Sequence, residues 1–334
     1  MAINDKLKDL YSPITEELEL FEKQLEKALS TRLPLVKPVL KDVLDSKGKR
    51  LRPALLFLSF YSSFPDKKTL PENKEKAVKI ATAIELLHMA SLVHDDIIDG
   101  ADIRHNQPSI YSKWGTNIGV VLGVHLYSLA LKMVSEVGNL DILDRVSATV
   151  KAMCEGEMVQ VLERDNSNLS IAHYITILKK KTGVLFGLAC ECGVILANGD
   201  KPRGLKNFGL NLGVVYQIVD DYLDLLGDEE TLGKKPGQDF ELGEVTLPLI
   251  YMFQSISSEE QNKIWESEEK EKSLSDVRDK MKQTVDIAVK TKAKGLELLQ
   301  KCQGYVDTLE PSLYKEKLSD LVAYTEDRGF KAVV

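Results

Sequence analysis

Two short acidic runs carry the most chemistry in this chain. His94-Asp95-Asp96-Ile97-Ile98-Asp99 and Asp220-Asp221-Tyr222-Leu223-Asp224 share the spacing D-D-x-x-D. On a helix, positions four apart share a face, which pairs Asp95 with Asp99 and Asp220 with Asp224. Carboxylates one turn apart, about 5.4 Å, can share or bridge a hard cation. Each run ends an apolar stretch, so the acids meet the negative end of a helix dipole. Like charges about 6 Å apart repel by roughly 2–3 kcal/mol per pair at an effective dielectric near 20. Divalent cations relieve that repulsion, and a diphosphate completes their coordination, because Mg²⁺ takes a few carboxylates together with substrate phosphate and water. The bland alternative is a pair of solvated helix ends; two copies, each after a helix of buried character, weigh against it. Zinc is disfavoured, since no matching His or Cys set lies nearby.

Basic and polar residues suited to diphosphates recur along the chain. Gly48-Lys49-Arg50-Leu51-Arg52-Pro53 puts three cations in a turn before a helix. Its glycine permits close backbone approach, and arginine grips phosphate through two parallel hydrogen bonds. His88 lies seven residues before Asp95, nearly two turns, and points to a similar side. Arg104 and His105 follow the first acidic run in a polar loop. Lys181-Thr182 begins another apolar helix, and Gln217 stands three residues before Asp220 on one face. Lys234 and Lys235 follow the second run in a Gly-rich loop. Each has an ordinary solvated or core reading alone; together they supply cations around an acidic cavity.

The elements that must position these residues read as helices throughout. Apolar residues recur with helical spacing in 76–99, 119–137, 147–163, 182–198 and 205–225, and strand-like alternation is absent. The first of these is apolar on most faces and belongs inside the protein. Loops fall at 100–108, 165–170, 199–204 and 227–243, and Pro53 suits the first turn of a helix beginning after Leu51. The charged stretch 257–294, with a thin stripe of Val277, Met281, Val285 and Val289, reads as peripheral helices. No linker divides the apolar block, so 1–334 reads as a single all-helical domain.

Bulk properties narrow the function. The 334 residues are 43% apolar and carry a net charge of −7, with a pI near 5.5. That argues against nucleic-acid binding by phosphate neutralisation, though not against binding small anions. The four cysteines, Cys154, Cys190, Cys192 and Cys302, form no C-x-x-C pair; reduced, mostly packed thiols in the cytoplasm are expected. The N-terminus lacks the apolar core of a secretory signal. The longest apolar stretches are broken by His125 and Glu191, so no membrane span is expected.

Taken in order, GKRLRP at 48–53, ELLHMASLVHDDIID at 85–99, KT at 181–182, YQIVDDYLDLLGD at 216–228, LGKKPGQD at 232–239 and TLPLIY at 246–251 resemble the trans-isoprenyl diphosphate synthases of the polyprenyl synthetase family. The likeness runs motif by motif over 35–249. It implies an all-α isoprenoid-synthase bundle around a deep central cavity, usually a homodimer. It implies that Asp95, Asp96, Asp99, Asp220, Asp221 and Asp224 bind Mg²⁺, about three ions with the bound diphosphate. Arg104, Lys181 and Lys234 would touch the allylic diphosphate; Lys49, Arg52 and His88, with His105 beside them, would hold isopentenyl diphosphate; Thr182 and Gln217 would stabilise the developing carbocation. Three departures stand out: His105 where a second arginine is usual, Val124 where the helix after the first motif usually carries aspartate, and Glu244 where a lysine often precedes T-L-P.

The expected activity is head-to-tail prenyl transfer. Neutralised diphosphate leaves, the allylic cation is attacked by the isopentenyl double bond, and a proton is lost, with no protein nucleophile required. Ala90 and Ser91, one turn before Asp95, are small, and Leu87 follows. The tunnel is therefore open, and a medium or long product beyond farnesyl is expected; M-A-S-L-V-H-D-D-I-I-D also resembles synthases of quinone side chains. Alternatives are a class I terpene cyclase, which would usually carry an N-x-x-x-S-x-x-x-E second motif, and a catalytic-like or regulatory subunit of a heteromeric synthase.

Overall fold

The computed structural model describes residues 5–46, 48–63, 70–104, 107–200, 202–227, 236–265 and 270–330. The chain forms two compact units. One comprises Met1–Val150, Leu185–Gly209 and Tyr305–Leu321, the other Lys151–Val184, Leu210–Gly304 and Val322–Val334. The described elements are α1 (Asp5–Tyr11), α2 (Thr15–Ala28), α3 (Lys37–Asp45), α4 (Leu51–Ser62), α5 (Leu70–Ile98), β1 (Ile103–Arg104), β2 (Gln107–Pro108), α6 (Ile110–Val137), α7 (Leu140–Leu162), α8 (Ile171–Leu178), a π-helical turn (Lys179–Gly183), α9 (Val184–Leu196), α10 (Pro202–Leu226), α11 (Gln238–Glu241), α12 (Leu247–Phe253), α13 (Ser258–Trp265), α14 (Lys270–Gln283), α15 (Val285–Asp307) and α16 (Leu313–Phe330). The all-α expectation holds; the two-residue strands are a hairpin pairing Ile103 with Pro108 and Arg104 with Gln107.

In the first unit α5 is the central element, packed against α2, α4 and α6. Its Ile80, Ala83, Ile84, Leu87 and Ala90 are fully buried, as an all-round apolar pattern demands. Helix α6 starts earlier than its apolar period suggests. The Ser109 side chain caps it by accepting from Ser112 N–H at 3.0 Å, and Gly115, with φ 81°, kinks it before the regular stretch. Gly138, at φ 71°, ends it in the left-handed conformation that glycine adopts freely. The α5–α6 contact depends on a small residue: a Cβ on Gly123 would lie 2.0 Å from His94 Nε2.

Two helices, Asn73–Ile98 and Ile110–Val137, are long and apolar enough to cross a membrane by length and composition. The apolar window of the first is 72% buried among protein side chains, that of the second 39%. Helix α6 is apolar on two faces: Leu122, Leu126, Ala130 and Val134 are buried, whereas Val120, Val121, Val124 and Leu131 are exposed.

The second unit holds the C-terminal half of α7, α8, the π turn, most of α10 and helices α11–α14. Trp265 packs edge-on against Phe240 and Phe253, with centroids 5.4 and 5.6 Å away. Ser257 and Glu260 form a reciprocal capping box at the start of α13. Val277 and Met281 of the thin stripe are buried, but Val289 is 55% exposed, so the stripe does not extend as one face into α15. Val285's side chain lies outside the described set. Cys190, Cys192 and Cys302 are buried, Cys154 is exposed, and all four are free thiols.

Close helix packing in the first unit gives a test. A Cβ on Gly193 of α9 would sit 2.4 Å from Leu56 O and 2.9 Å from Phe60 N, both backbone atoms of α4. Glycine-to-alanine inside a helix ordinarily gains about 0.5–1 kcal/mol, while overpacking costs about 1–3 kcal/mol. Backbone atoms yield least, so overpacking wins. Gly193→Ala is expected to destabilise the protein by about 1–2 kcal/mol net in urea unfolding.

Candidate active site

In the first unit the acidic run ends α5. Asp96 is 3% exposed, and Asp95 and Asp99 are half-buried. The hairpin after α5 returns Arg104 onto Asp96: its Nε donates to Asp96 Oδ1 at 2.8 Å, and Nη2 donates to the same oxygen. Burial pushes the Asp96 carboxyl above its ordinary pKa, while the Arg104 charge pulls it back. Arg104, expected on a substrate phosphate, is thus held beside the first aspartate cluster. His105 and Lys234 lie outside the described residues.

The basic turn before α4 divides its work. Arg52 is half-buried, with its guanidinium 4.5 Å from the Phe186 ring centroid. Lys49 is half-buried, and its carbonyl accepts from the Tyr11 hydroxyl at 2.8 Å. Arg50 turns inward and is 6% exposed. The tight point of the turn is not Gly48, where a Cβ would meet nothing within 4 Å, but Arg50, at φ 54°. His88 is half-buried on α5; Leu87 and Ala90 are wholly buried, and Ser91 is half-buried with its hydroxyl donating to His88 O.

In the second unit the acidic run ends α10, and its three carboxylates differ. Asp220 is exposed and accepts from Arg328 Nη2 of α16, whose guanidinium lies 4.8 Å from the Tyr216 ring centroid. Asp221 is buried. It accepts from Tyr174 Oη at 2.5 Å and from Gln217 Nε2 at 2.9 Å, and the Thr182 hydroxyl donates to Gln217 Oε1 at 3.1 Å. Burial pushes the Asp221 carboxyl up to about 7, the charges of Glu244 and Asp220 add to the rise, and the Tyr174 and Gln217 hydrogen bonds oppose it. Asp224 is buried and accepts from Asp239 N–H at 3.1 Å, which pins the chain returning after the Gly-rich loop. Gln217 therefore serves Asp221, four residues on, rather than Asp220, three residues on.

Lys181 and Thr182 do not begin a helix. They lie in the π turn that joins α8 to α9, closed by Val184 N–H on Lys179 O. Such turns often mark functional positions. Lys181 pairs with Glu157 of α7 at 2.8 Å. Two glycines allow the approach: a Cβ on Gly156 would lie 2.6 Å from Lys181 N, and one on Gly183 2.8 Å from Leu210 O. Glu244, whose charge acts on Asp221, is itself met within this unit: it accepts from Gln160 and, at 3.3 Å, from Arg164 Nη2. A cavity of about 30 Å³, lined by Gln160, Tyr174, Gln217, Asp221, Glu244 and Thr246, has room for water but not for a diphosphate.

Tyr174, Arg328, Glu157 and the partners of Arg50 were not legible as site residues. Among the described residues, no three His, Cys, Asp or Glu side chains converge to hold a metal by themselves. The donors of both clusters are nonetheless oxygen only, which suits Mg²⁺, an ion that keeps several positions for phosphate and water.

An acid-ended apolar helix in each unit, with Arg104 beside one run and Gln217 and Thr182 hydrogen-bonded in line with the other, is an all-α arrangement of the isoprenoid-synthase kind. The comparisons place the chain within that class: the polyprenyl synthetase family model matches residues 33–287. The chain is 32% identical to the heptaprenyl diphosphate synthase component 2 of Bacillus subtilis over 98% of its length and 93% of that protein. The heptaprenyl diphosphate synthase of Staphylococcus aureus superposes with a TM-score of 0.86 at 28% identity, covering 98% of this chain and 100% of that one. A polyprenyl synthase from Caulobacter crescentus, complexed with calcium and isoprenyl diphosphate, gives 0.88 at 26% identity, covering 97% and 98%. The chain belongs to the polyprenyl synthetase family and is a prenyltransferase.

The Tyr174–Asp221 bond can be tested by itself. Removing the hydroxyl leaves a buried carboxylate oxygen with one donor fewer, which costs about 1–3 kcal/mol. Tyr174→Phe should lower the urea midpoint by that equivalent with an unchanged m-value.

Proposed function

We propose that the chain is a Mg²⁺-dependent polyprenyl diphosphate synthase. It adds isopentenyl diphosphate head-to-tail to an allylic diphosphate and releases a product longer than farnesyl diphosphate. The observation that carries this reading is the Thr182–Gln217–Asp221–Tyr174 hydrogen-bond chain at the end of α10. It fixes two neutral oxygen-bearing side chains beside an acidic cluster, as a reaction through a carbocation with an anionic leaving group requires. The relative crystallised with calcium and isoprenyl diphosphate supports a divalent cation and a prenyl substrate, and the heptaprenyl synthases support the longer product.

Asp95, Asp96 and Asp99 in the first unit, and Asp220, Asp221 and Asp224 in the second, are the residues that would hold Mg²⁺, so residues 1–334 act as one catalytic domain. Bound Mg²⁺ supplies charge neutralisation to the departing diphosphate. Arg104, Lys181 and Lys234 bind the allylic diphosphate, and Lys49, Arg52, His88 and His105 hold isopentenyl diphosphate. Arg104 and Lys181 wait on Asp96 and Glu157, already oriented as cations. When the C–O bond breaks, the Gln217 carbonyl and Thr182 hydroxyl oxygens face positive charge, with Gln217 kept in one orientation by the hydrogen bond that its amide N–H donates to Asp221. The isopentenyl double bond attacks, and the proton leaves to the released diphosphate. The buried Leu87 and Ala90 of α5 line the path of the growing chain, with Ser91 beside them.

The exposed apolar face of α6 fits a second copy of the chain. A helix apolar on two opposite sides needs cover on both, and one side is already packed within the first unit. Buried reduced thiols suit a cytoplasmic setting. A heteromer is the second reading, because the Bacillus subtilis relative is called component 2.

Product chromatography with farnesyl diphosphate, isopentenyl diphosphate and Mg²⁺ should show chains longer than farnesyl, with no turnover in excess chelator. A purified chain that releases nothing beyond farnesyl length refutes the product assignment. Ala90→Phe should shorten the product, and Asp95→Ala should lower kcat by about 10²–10³-fold or more. In light scattering the chain should have the mass of a dimer, and Val121→Glu should shift it to monomer. Recovery of activity only on adding a different subunit would favour the heteromer.

A further inference from the structure

Arg50 stands in the middle of the basic turn Lys49-Arg50-Leu51-Arg52, yet its charge is turned inward and engaged by protein. Its Nε donates to Glu22 Oε1 at 2.8 Å, and its Nη1 donates to Glu85 Oε1 at 2.9 Å. The guanidinium also lies 5.7 Å from the Phe21 ring centroid. Glu22 belongs to α2, and Glu85 belongs to α5, one turn before His88. The backbone of Arg50 is left-handed, φ 54° and ψ 34°, a conformation that L side chains with a Cβ adopt at a steric cost and that persists only where surroundings enforce it. Here the enforcing groups are visible: two carboxylates on two helices hold the fork, and the Tyr11 hydroxyl holds the preceding carbonyl at 2.8 Å. The left-handed residue is the N-cap of α4, so it sets how the segment carrying Lys49 enters the helix that carries Arg52.

We propose that Glu22, Arg50 and Glu85 form a positioning device for the isopentenyl diphosphate subsite. Arg50 binds no phosphate; it sets the turn that aims Lys49 and Arg52 and fixes that turn to the helix bearing His88. This rests on the reading of Lys49, Arg52 and His88 as the isopentenyl diphosphate ligands. It separates two roles within one basic motif: outer cations for substrate, inner cation for geometry. A fork filled by two carboxylates at 6% exposure has no face left for a third anion.

The test is steady-state kinetics of the full chain with each substrate varied in turn. Arg50→Met removes the ion pairs and keeps the strained residue; Arg50→Gly removes the ion pairs and also relieves the strain. Both should raise KM for isopentenyl diphosphate about tenfold or more, with KM for the allylic substrate changed less than about twofold. Arg50→Lys should recover part of the loss, since it keeps the charge but not the fork. An Arg50→Gly enzyme with normal KM for isopentenyl diphosphate overturns the proposal, as does an equal rise in both KM values. If the Arg50 variants fail to fold by circular dichroism, Glu22→Gln decides: a selective rise of about threefold is expected, and none overturns the proposal. Lys49→Ala run in parallel separates the two levels. Should it leave KM for isopentenyl diphosphate unchanged, the subsite reading itself fails; should it raise that KM while Arg50→Gly does not, only the positioning role fails.

Discussion

Carboxylates taken out of water at the ends of apolar helices are the constraint around which this molecule is arranged. A buried carboxylate needs donors or a cation, and each one here recruits a different part of the chain. Asp96 draws the hairpin after α5 back through Arg104. Asp221 takes Tyr174 from α8 and Gln217 from its own helix. Asp224 takes a backbone N–H at the start of α11, and Asp220, more exposed, takes Arg328 from the last helix. Within the second unit, the end of α10 is thus the point at which α8, α11 and α16 are tied together. The acids of both runs are the local organisers of the helix ends they occupy.

Such ties require helices to approach closely, and small residues permit it. Gly156 and Gly183 let the π turn settle against α7 and α10, where Lys181 meets Glu157. Gly193 does the same for α9 against α4, and Gly209, whose Cβ would lie 2.5 Å from Phe186 O, for α10 against α9. The π turn carries Lys181 and Thr182 together. Its extra residue per turn shifts the register of the next helix, so the Thr182 hydroxyl reaches Gln217 while α9 continues as a buried helix. Charge sets which elements must meet, and glycine sets how near they can come.

That division explains what could be read from the chain alone. Helix identity was legible because burial on nearly all sides of α5 and α9 leaves a long apolar period. The acidic runs and Gln217 were legible as positions at helix ends because helical spacing and side-chain type are local properties. The start of α6 was not, because Ser109 and the Gly115 kink, rather than apolar periodicity, decide it. Lys181-Thr182 looked like a helix start, since a π turn leaves no apolar signature. The Arg328–Asp220 pair joins residues 108 apart, and Arg50–Glu85 joins residues 35 apart. No pattern within a window of one helix could reveal either. Arg50 is the clearest case: its type suggested phosphate, and only its neighbours show that it faces inward.

The departures from the family pattern fall under the same logic. An acidic residue at 244 in place of a cation would be harmful if it stood alone beside Asp221. It does not, for Gln160 donates to it and Arg164, eighty positions away, places a positive charge against it. Valine at 124 alters a different property. It lies 55% exposed on the outward face of α6, in line with Val120 and Leu131. An aspartate there would require water or a cation, whereas valine extends a dry stripe suited to another apolar surface. The first change is absorbed inside the second unit, and the second is directed outward. Neither displaces Thr182, Gln217 or Asp221 from the hydrogen bonds that hold them, so both changes leave the geometry at the end of α10 intact.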